Sequence, residues 1–536
     1  MALFTDFSYR KSKDGMEGNG LGESNKKDPA SDEKRLSSPS SSLNNSHSEL
    51  ASQQQGETSR RYQSIVLVVI LMGVMMTAID TTAVVLALPV MVTDLRSDIL
   101  SMVWVIMAYL LVLTIFGTQV GRLGDMYGRV RMYNAGFAIF TVGSLLCGLS
   151  QTGSQIIDFR IIQGLGGALV FSNSGAIIAD TIPATRRGRA YGLTGIGYSV
   201  GAILGILVGG VLITFLNWRY IFYINVPIGI AAVVASYLIL KERSPRISRR
   251  IDFLGMSLLG VGLFLILYAL TEITGSGWTS SSGFELLGGG LLIIGFIFWE
   301  RYFTSPLLAL SLLRQRVLTA SVFAAFFQAV ASFAVLFLVI MYLQGVRGLS
   351  PFNASLLLVP GYLLGGVSGP LGGRLSDKHG ARLIASMGLV FQAVGILVYA
   401  SLTTDSQLWL IIMASSFNGV GSGFFYPANN SAVMANAPPR DYGVASGLLR
   451  TLSNTGMVTS FPIALLIASL SISRQSAFAI FLGVSKLPQS LGSAFVTGMH
   501  SALLVSITLI VVALVLSIAR GKEERTSFVA TSTKNQ

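Results

Sequence analysis

The stretch GRLGDMYGRVRM, Gly121 to Met132, sets three arginines and an aspartate between two apolar runs. A near copy, GRLSDKHGARLI, stands 252 positions later at Gly373 to Ile384. Gly121, Arg122, Leu123, Asp125 and Gly128 recur as Gly373, Arg374, Leu375, Asp377 and Gly380. The rest of the chain is oily: 52% of its 536 residues are hydrophobic and 12% are charged, against roughly 25% charged in an ordinary soluble domain. A charged loop repeated inside such a composition points to a membrane protein with two equivalent halves.

The formal charge of +13 would suit a nucleic-acid binder, so its location decides its meaning. The first 61 residues hold nine Lys/Arg and nine Asp/Glu, which leaves the whole excess in the apolar remainder. Ala30 to Gln55 is rich in Ser, Asn and Gln and cannot bury enough apolar surface to offset its ordering entropy. Residues 1–61 are therefore expected to be a disordered tail. A polar tail ahead of a long apolar run also argues against a cleaved signal peptide. The single cysteine, Cys147, lies in an apolar run and reads as a packing residue.

A bilayer core of about 30 Å needs about 20 apolar residues per helix. That length yields fourteen expected spans, near 64–88, 100–120, 131–150, 155–179, 189–214, 218–240, 252–272, 284–302, 318–344, 351–373, 382–402, 407–434, 442–471 and 499–519. Short loops rich in Lys and Arg favour the cytoplasm. With the N-terminus inside, eighteen basic residues fall in inner loops and five in outer ones, Arg96, Arg219, Arg347, Arg474 and Lys486. The positive charge is thus topological, and nucleic acid is not an expected partner. Both loop copies become cytoplasmic, after spans 2 and 10, so the repeat is parallel. The expected organisation is a tail (1–61), a six-helix half (62–241), a linker with an extra helix pair (242–316), a second six-helix half (317–520) and a cytoplasmic tail (521–536). Parallel halves with a site between them at mid-membrane are a recurrent transporter plan.

At these residues the chain resembles the major facilitator superfamily, and within it the fourteen-helix drug:proton antiporter branch. AIDTTAVVLALP in span 1, FRIIQGLGGA in span 4, NWRYIFYINVPIG between spans 5 and 6, YLQGVRGLSP and the two loops carry the likeness, which runs from about Gln63 to Arg520. Two positions depart from the branch. Val85 stands where an asparagine is usual, and Ile206 follows Gly205 where the antiporter signature has proline, leaving that helix less readily bent. The resemblance implies an all-α integral membrane fold and alternating access. It also implies that the charged loops act as a latch for one access state, carried by Gly121, Asp125, Gly128, Arg129 and Arg131, and by Gly373, Asp377 and Gly380. Ala381 replaces the second arginine in the copy, so that latch is expected to be the weaker one.

Ionisable groups inside a bilayer are costly and so are functional candidates. Most acids here fall at span ends; Asp80 and Arg160 do not. At 1.5 Å per residue, Asp80 lies about 24 Å from the inner end of its span and Arg160 about 22 Å from the inner face, so the two share a level. A desolvated carboxylate holds its proton more tightly and a neighbouring cation loosens it. Such a pair suits proton coupling, with a fixed structural ion pair as the alternative. An aspartate can also dock on the positive N-terminal end of a helix, and Asp180 is placed to meet the loop arginines. Gly201, Gly205, Gly209 and Gly210 would allow close helix contact. Trp104, Tyr109, Gln163, Tyr342, Gln344 and Asn429 are candidates for a substrate pocket, since aromatic faces favour cations and planar apolar compounds.

No GxxxxGK[ST] loop is present, so ATP is not an expected partner. Three histidines, His47, His379 and His500, assemble neither a metal cluster nor a nucleophile triad, and no cofactor, metal or enzyme activity is expected. The sequence therefore reads as a monomeric plasma-membrane exporter of small amphipathic or cationic compounds in exchange for protons, both termini cytoplasmic. A facilitator or proton symporter of a small metabolite would share the fold, and a non-transporting membrane sensor is a third reading.

Overall fold

The computed structural model describes residues 39–243, 250–303, 308, 310–437, 442–471 and 489–521. Two units divide the chain, Met1–Arg60 and Arg61–Gln536, and the second holds the membrane helices. The α-helices are α1 (Pro39–Asp94), α2 (Ile99–Tyr127), α3 (Arg129–Leu149), α4 (Gly153–Thr181), α5 (Ala184–Phe215), α6 (Tyr220–Tyr223), α7 (Asn225–Ile239), α8 (Phe253–Ser276), α9 (Ser280–Tyr302), α10 (Arg316–Met341), α11 (Pro351–His379), α12 (Ala381–Ala400), α13 (Trp409–Asn436), α14 (Tyr442–Leu470) and α15 (Gln489–Ala519). Of the tail expected to be disordered, residues 1–38 lie outside the described residues. α1 then begins at Pro39, ahead of the boundary expected at 61; proline opens a helix without loss because an N–H there would have no partner. Arg474, Lys486 and the tail from 522 also lie outside the described residues.

Among the described residues, thirteen helices are long and apolar enough to cross a membrane. The twelfth expected span, α13, forms a 28-residue helix but falls short of that apolarity, carrying Ser415, Ser416, Asn418, Asn429 and Asn430. α13 is wedged between α11 and α12, where Ser415 and Asn429 are buried, while Asn430 is exposed. A methyl group on Gly372 of α11 would sit 2.7 Å from the carbonyl oxygen of Gly423, and one on Gly388 of α12 2.6 Å from that of Gly421.

The two loop copies fold alike. α2 ends and α3 starts at Gly128 (φ 112°), and α11 ends and α12 starts at Gly380 (φ 95°). In each, the glycine N–H closes the preceding helix, onto the carbonyl of Gly124 at 2.9 Å and of Ser376 at 2.8 Å. A side chain at that φ would be strained, which is why the duplicated glycine is the pivot of both turns.

Two elements depart from regular spans. The sixth is broken into α6 and α7 at Ile224, because Pro227 has no N–H to give the carbonyl of Tyr223. The ninth ends in a π-turn, Tyr342–Val346, with Tyr342, Leu343 and Gln344 buried.

α2, α3, α4 and α7 pack on one another as one set, and α10 to α15 as another. The sets meet along α5 against α11 and α2 against α14, while α8 bridges α2 and α14 and carries α9 on its outer side. Large exposed apolar side chains such as Leu238 on α7, Phe284 and Leu287 on α9 and Val367 on α11 mark the lipid-facing surface. The sets are joined at the end away from the arginine-rich loops. There Gln344 donates to the carbonyl of Leu86 at 2.9 Å, the N–H of Phe352 donates to Thr214 Oγ1 at 2.9 Å, and Gly210 faces Ser355. Towards the arginine-rich end, Gly192 and Gly195 of α5 and Gly369 of α11 have nothing within 4 Å of where a Cβ would stand.

Candidate functional site

Asp80 on α1 and Arg160 on α4 meet directly: Arg160 Nη1 donates to Asp80 Oδ2 at 2.6 Å, and each side chain is 1% exposed. α1 runs on to Asp94, past the end expected near 88, so the far ends of α1 and α4 are not flush although the two charges are level. The same Nη1 donates to Gln163 Oε1 at 2.6 Å, and Gln163 Nε2 donates to Asp80 Oδ1 at 2.8 Å and to Ser144 Oγ at 2.7 Å. Gln163, a candidate for substrate contact, is therefore part of the ion pair's own hydrogen-bond ring. Cys147 is buried beside it, with Sγ 3.7 Å from Gln163 Oε1.

Arg160 is fixed from its other side. Its Nε donates to the carbonyl of Val105 on α2 at 2.9 Å, and its guanidinium lies 4.2 Å from the centre of the Tyr109 ring and 5.9 Å from that of Phe222. Tyr109 is thus a platform for the cation, and it is itself buried. Asn225, not anticipated from the sequence, sits at the break between α6 and α7 and points Nδ2 at Asp80 Oδ1, 3.5 Å away. It belongs to NWRYIFYINVPIG, whose other polar residues close the far end of the helices. Trp218 Nε1 and Arg219 Nη1 both donate to Asp94 Oδ2, at 2.8 and 2.6 Å, with Arg219 stacked on Trp218.

The remaining substrate candidates do not gather around one space. Trp104 packs against Phe264 and Tyr268 of α8, with ring centroids 5.4 and 6.4 Å away. Tyr342 Oη donates to the carbonyl of Thr403 at 2.6 Å, and Asn429 Nδ2 to that of Ser321 at 3.0 Å. Gln344 is taken up by its bond to Leu86. Asp158 is exposed. Three of the α5 glycines face α1: a Cβ on Gly201 would stand 2.8 Å from the Met75 carbonyl oxygen, on Gly205 2.6 Å from that of Ile79, and on Gly209 3.1 Å from Ala83 Cβ. Gly210 faces α11 instead.

In the first charged loop Arg129 bridges two acids, Asp125 at 2.8 Å and Asp180 at 2.6 Å. The carboxylate docked on a helix N-terminus is not Asp125 but Glu242, which accepts from the N–H groups of Arg129 and Val130 at 3.0 and 3.1 Å. Asp125, near the end of α2, is held across the turn by Arg129 at the start of α3, and the N–H groups that open α3 go to Glu242. Gly121 lies against Ser172, and Arg131 is exposed. In the copy, Ala381 provides no guanidinium. Asp377 is exposed there and, among the described residues, makes no ion pair. No group of three or more His, Cys, Asp or Glu able to hold a metal occurs among the described residues.

Comparison with known proteins agrees with this architecture. The Major Facilitator Superfamily model matches residues 70–461 and 321–518. The riboflavin transporter RibZ of Clostridioides difficile is 33% identical over 393 residues, covering 73% of this chain and 85% of that protein. The tetracenomycin C resistance and export protein of Streptomyces glaucescens is 30% identical over 399 residues, covering 73% of each. Multidrug resistance protein 3 of Bacillus subtilis is 29% identical, covering 72% of this chain and 76% of its own. Among solved structures, a bacterial homologue of the human lysosomal transporter Spinster, inward-facing and occupied, superposes with a TM-score of 0.61 at 17% identity, covering 86% of this chain and 97% of that one.

Proposed function

The chain belongs to the Major Facilitator Superfamily and is a multi-pass membrane transporter, and from that premise we propose that it exports small amphipathic compounds in exchange for protons by alternating access. The observation that carries this reading is the Asp80–Arg160 pair, 1% exposed and ringed by Gln163, Ser144 and Asn225. A proton arriving on Asp80 removes one charge of the pair and leaves Arg160 as a buried cation without its counter-charge, a state that costs several kcal/mol. The protein relieves that cost only by letting α1, α2 and α4 rearrange around the guanidinium. Proton binding and helix movement thereby become one event, which is what an exchanger requires.

The arginine-rich end is the cytoplasmic one in this reading, by the positive-inside bias, and the membrane is the plasma membrane with both termini inside. The opposite end carries hydrogen bonds between the sets, so in this reading the buried pair is reached from the cytoplasmic side once the helices move. The loop pairs of Arg129 with Asp125 and Asp180 form part of the latch in this reading; they are engaged here and are broken and remade in each transport cycle. The relatives named for drug resistance and export support the direction of transport. The relative named for riboflavin supports a second reading, a carrier of a small metabolite in which Asp80 has no part in driving flux.

Flux in proteoliposomes under an imposed pH gradient separates the two, with a lumenal pH dye and a panel comprising a fluorescent lipophilic cation, riboflavin and an aromatic acid. Exchange is expected to move protons with at least one of these compounds, and Asp80→Asn to abolish both movements. Substrate movement without protons, or an unimpaired Asp80→Asn protein, would reject proton exchange in favour of facilitated passage.

A further inference from the structure

Arg450 stands eight residues into α14 from Tyr442, about 12 Å along the helix from its arginine-rich end. Its guanidinium lies 4.0 Å from the centre of the Phe171 ring on α4, and Nη1 donates to the Phe171 carbonyl oxygen at 3.4 Å. Phe171 is itself about 15 Å from the matching end of α4, so both residues sit at membrane depth. Among the described residues no carboxylate pairs with Arg450. One turn along α4, the carbonyl of Gly175 accepts a 3.0 Å hydrogen bond from Tyr191 Oη on α5. Residues four apart share a helix face, so Arg450 and Tyr191 flank one face of α4 from opposite sides. Tyr191 is 43% exposed, and Tyr198, on the same side of α5 two turns further in, is 36% exposed. Nearer the mouth, Arg187 directs its hydrogen bonds to the carbonyls of Ile182 and Ala179 and also lacks a carboxylate partner among the described residues.

A cation at this depth is costly unless something neutralises it, and among the described residues the contacts of Arg450 are a carbonyl and a ring. We propose that this face of α4 is a binding subsite for small planar aromatic anions, with the ring against Tyr191 and Phe171 and the acid group on Arg450. A guanidinium binds carboxylate or sulfonate through paired, charge-assisted hydrogen bonds, and the basic mouth at Arg187 draws anions inward. A cationic ligand finds no such counterpart, since Asp80 is already bonded to Arg160 and 1% exposed. The assignment narrows the substrate class of the proposed exporter; it rests on that reading for the direction of transport and not for binding.

The test is equilibrium binding of 2-naphthoate and of its neutral isostere 2-naphthamide to the full-length protein in nanodiscs. The intact protein is expected to prefer the anion by about tenfold or more, the worth of a charge-assisted hydrogen bond. Arg450→Gln is expected to bind both alike, and Arg450→Lys to keep part of the preference. Equal or absent binding of the two compounds by the intact protein, a comparison that needs no variant, overturns the proposal, as does an undiminished preference in Arg450→Gln. Binding is read at equilibrium without a pH gradient and proton exchange is read in flux, so failure of proton exchange and failure of this subsite give different results.

Discussion

Asp80 and Arg160 are each tolerable inside the protein only because the other is there. Removing one partner of a buried pair costs about 3–5 kcal/mol, whereas removing both charges together is often near neutral. Asp80→Asn and Arg160→Gln should therefore each lower the unfolding temperature of the purified protein, and the double variant should recover much of the loss, with a coupling of about 1 kcal/mol or more. Strictly additive losses in thermal unfolding would show that the two do not stabilise one another. That these charges share a level was legible in the sequence, because a helix advances a constant distance per residue. Asn225 and the Tyr109 platform were not: an amide and a phenol carry no charge to flag them, and their contacts are made across space by other helices.

At the scale of elements, α5 shows how one helix meets two different surroundings. Gly205 sits so close to α1 that a Cβ would stand 2.6 Å from the Ile79 carbonyl and collide with Thr82, whereas Gly192 has nothing within 4 Å. Gly205→Ala is expected to cost about 1–3 kcal/mol through overpacking, and Gly192→Ala to be neutral or to gain up to about 1 kcal/mol from helix propensity. Thermal unfolding of the two variants reads the difference; equal effects would deny the close α1–α5 contact. The glycines' availability for close packing was visible as a repeat in the sequence, but not that Gly210 turns to α11 while its three companions turn to α1. The break at Asn225 and the π-turn at Tyr342 were likewise hidden. The first depends on one missing N–H in the middle of an apolar run, and the second on where Gln344 can reach Leu86.

Across the whole molecule, the two helix sets are hydrogen-bonded at the end that carries Asp94 and Thr214 and meet again towards the arginine-rich end where Arg450 reaches Phe171. Gly210 is the place to hold them: its Cβ would lie 3.0 Å from Ser355 Cβ, so the backbones need to part by less than about 1 Å to reach the roughly 3.8 Å spacing of disulfides. Gly210→Cys with Ser355→Cys, the native Cys147 being buried, is expected to arrest flux when oxidised and restore it on reduction. Flux that persists in the oxidised protein would mean this end need not open during transport. The energetics fit the proposed cycle. One proton entering down ~100 mV contributes about 2.3 kcal/mol and each pH unit about 1.4 kcal/mol. An anion leaving at the same time adds a second charge moved favourably across the same potential.

The sequence by itself determined that this chain spans a membrane many times, that it repeats one charged loop in each half, and that Asp80 and Arg160 lie at one depth. Each follows from one-dimensional quantities: apolar run length, charge placement and rise per residue. Tertiary packing settled which groups complete the pair, that Glu242 rather than Asp125 caps α3, that Ser415 and Asn429 of α13 are buried, and that Arg450 faces an aromatic surface of α4 with, among the described residues, no acid to meet it. Those outcomes depend on which faces of separate helices are pressed together, and helix packing is set by the fit of side chains far apart in the chain.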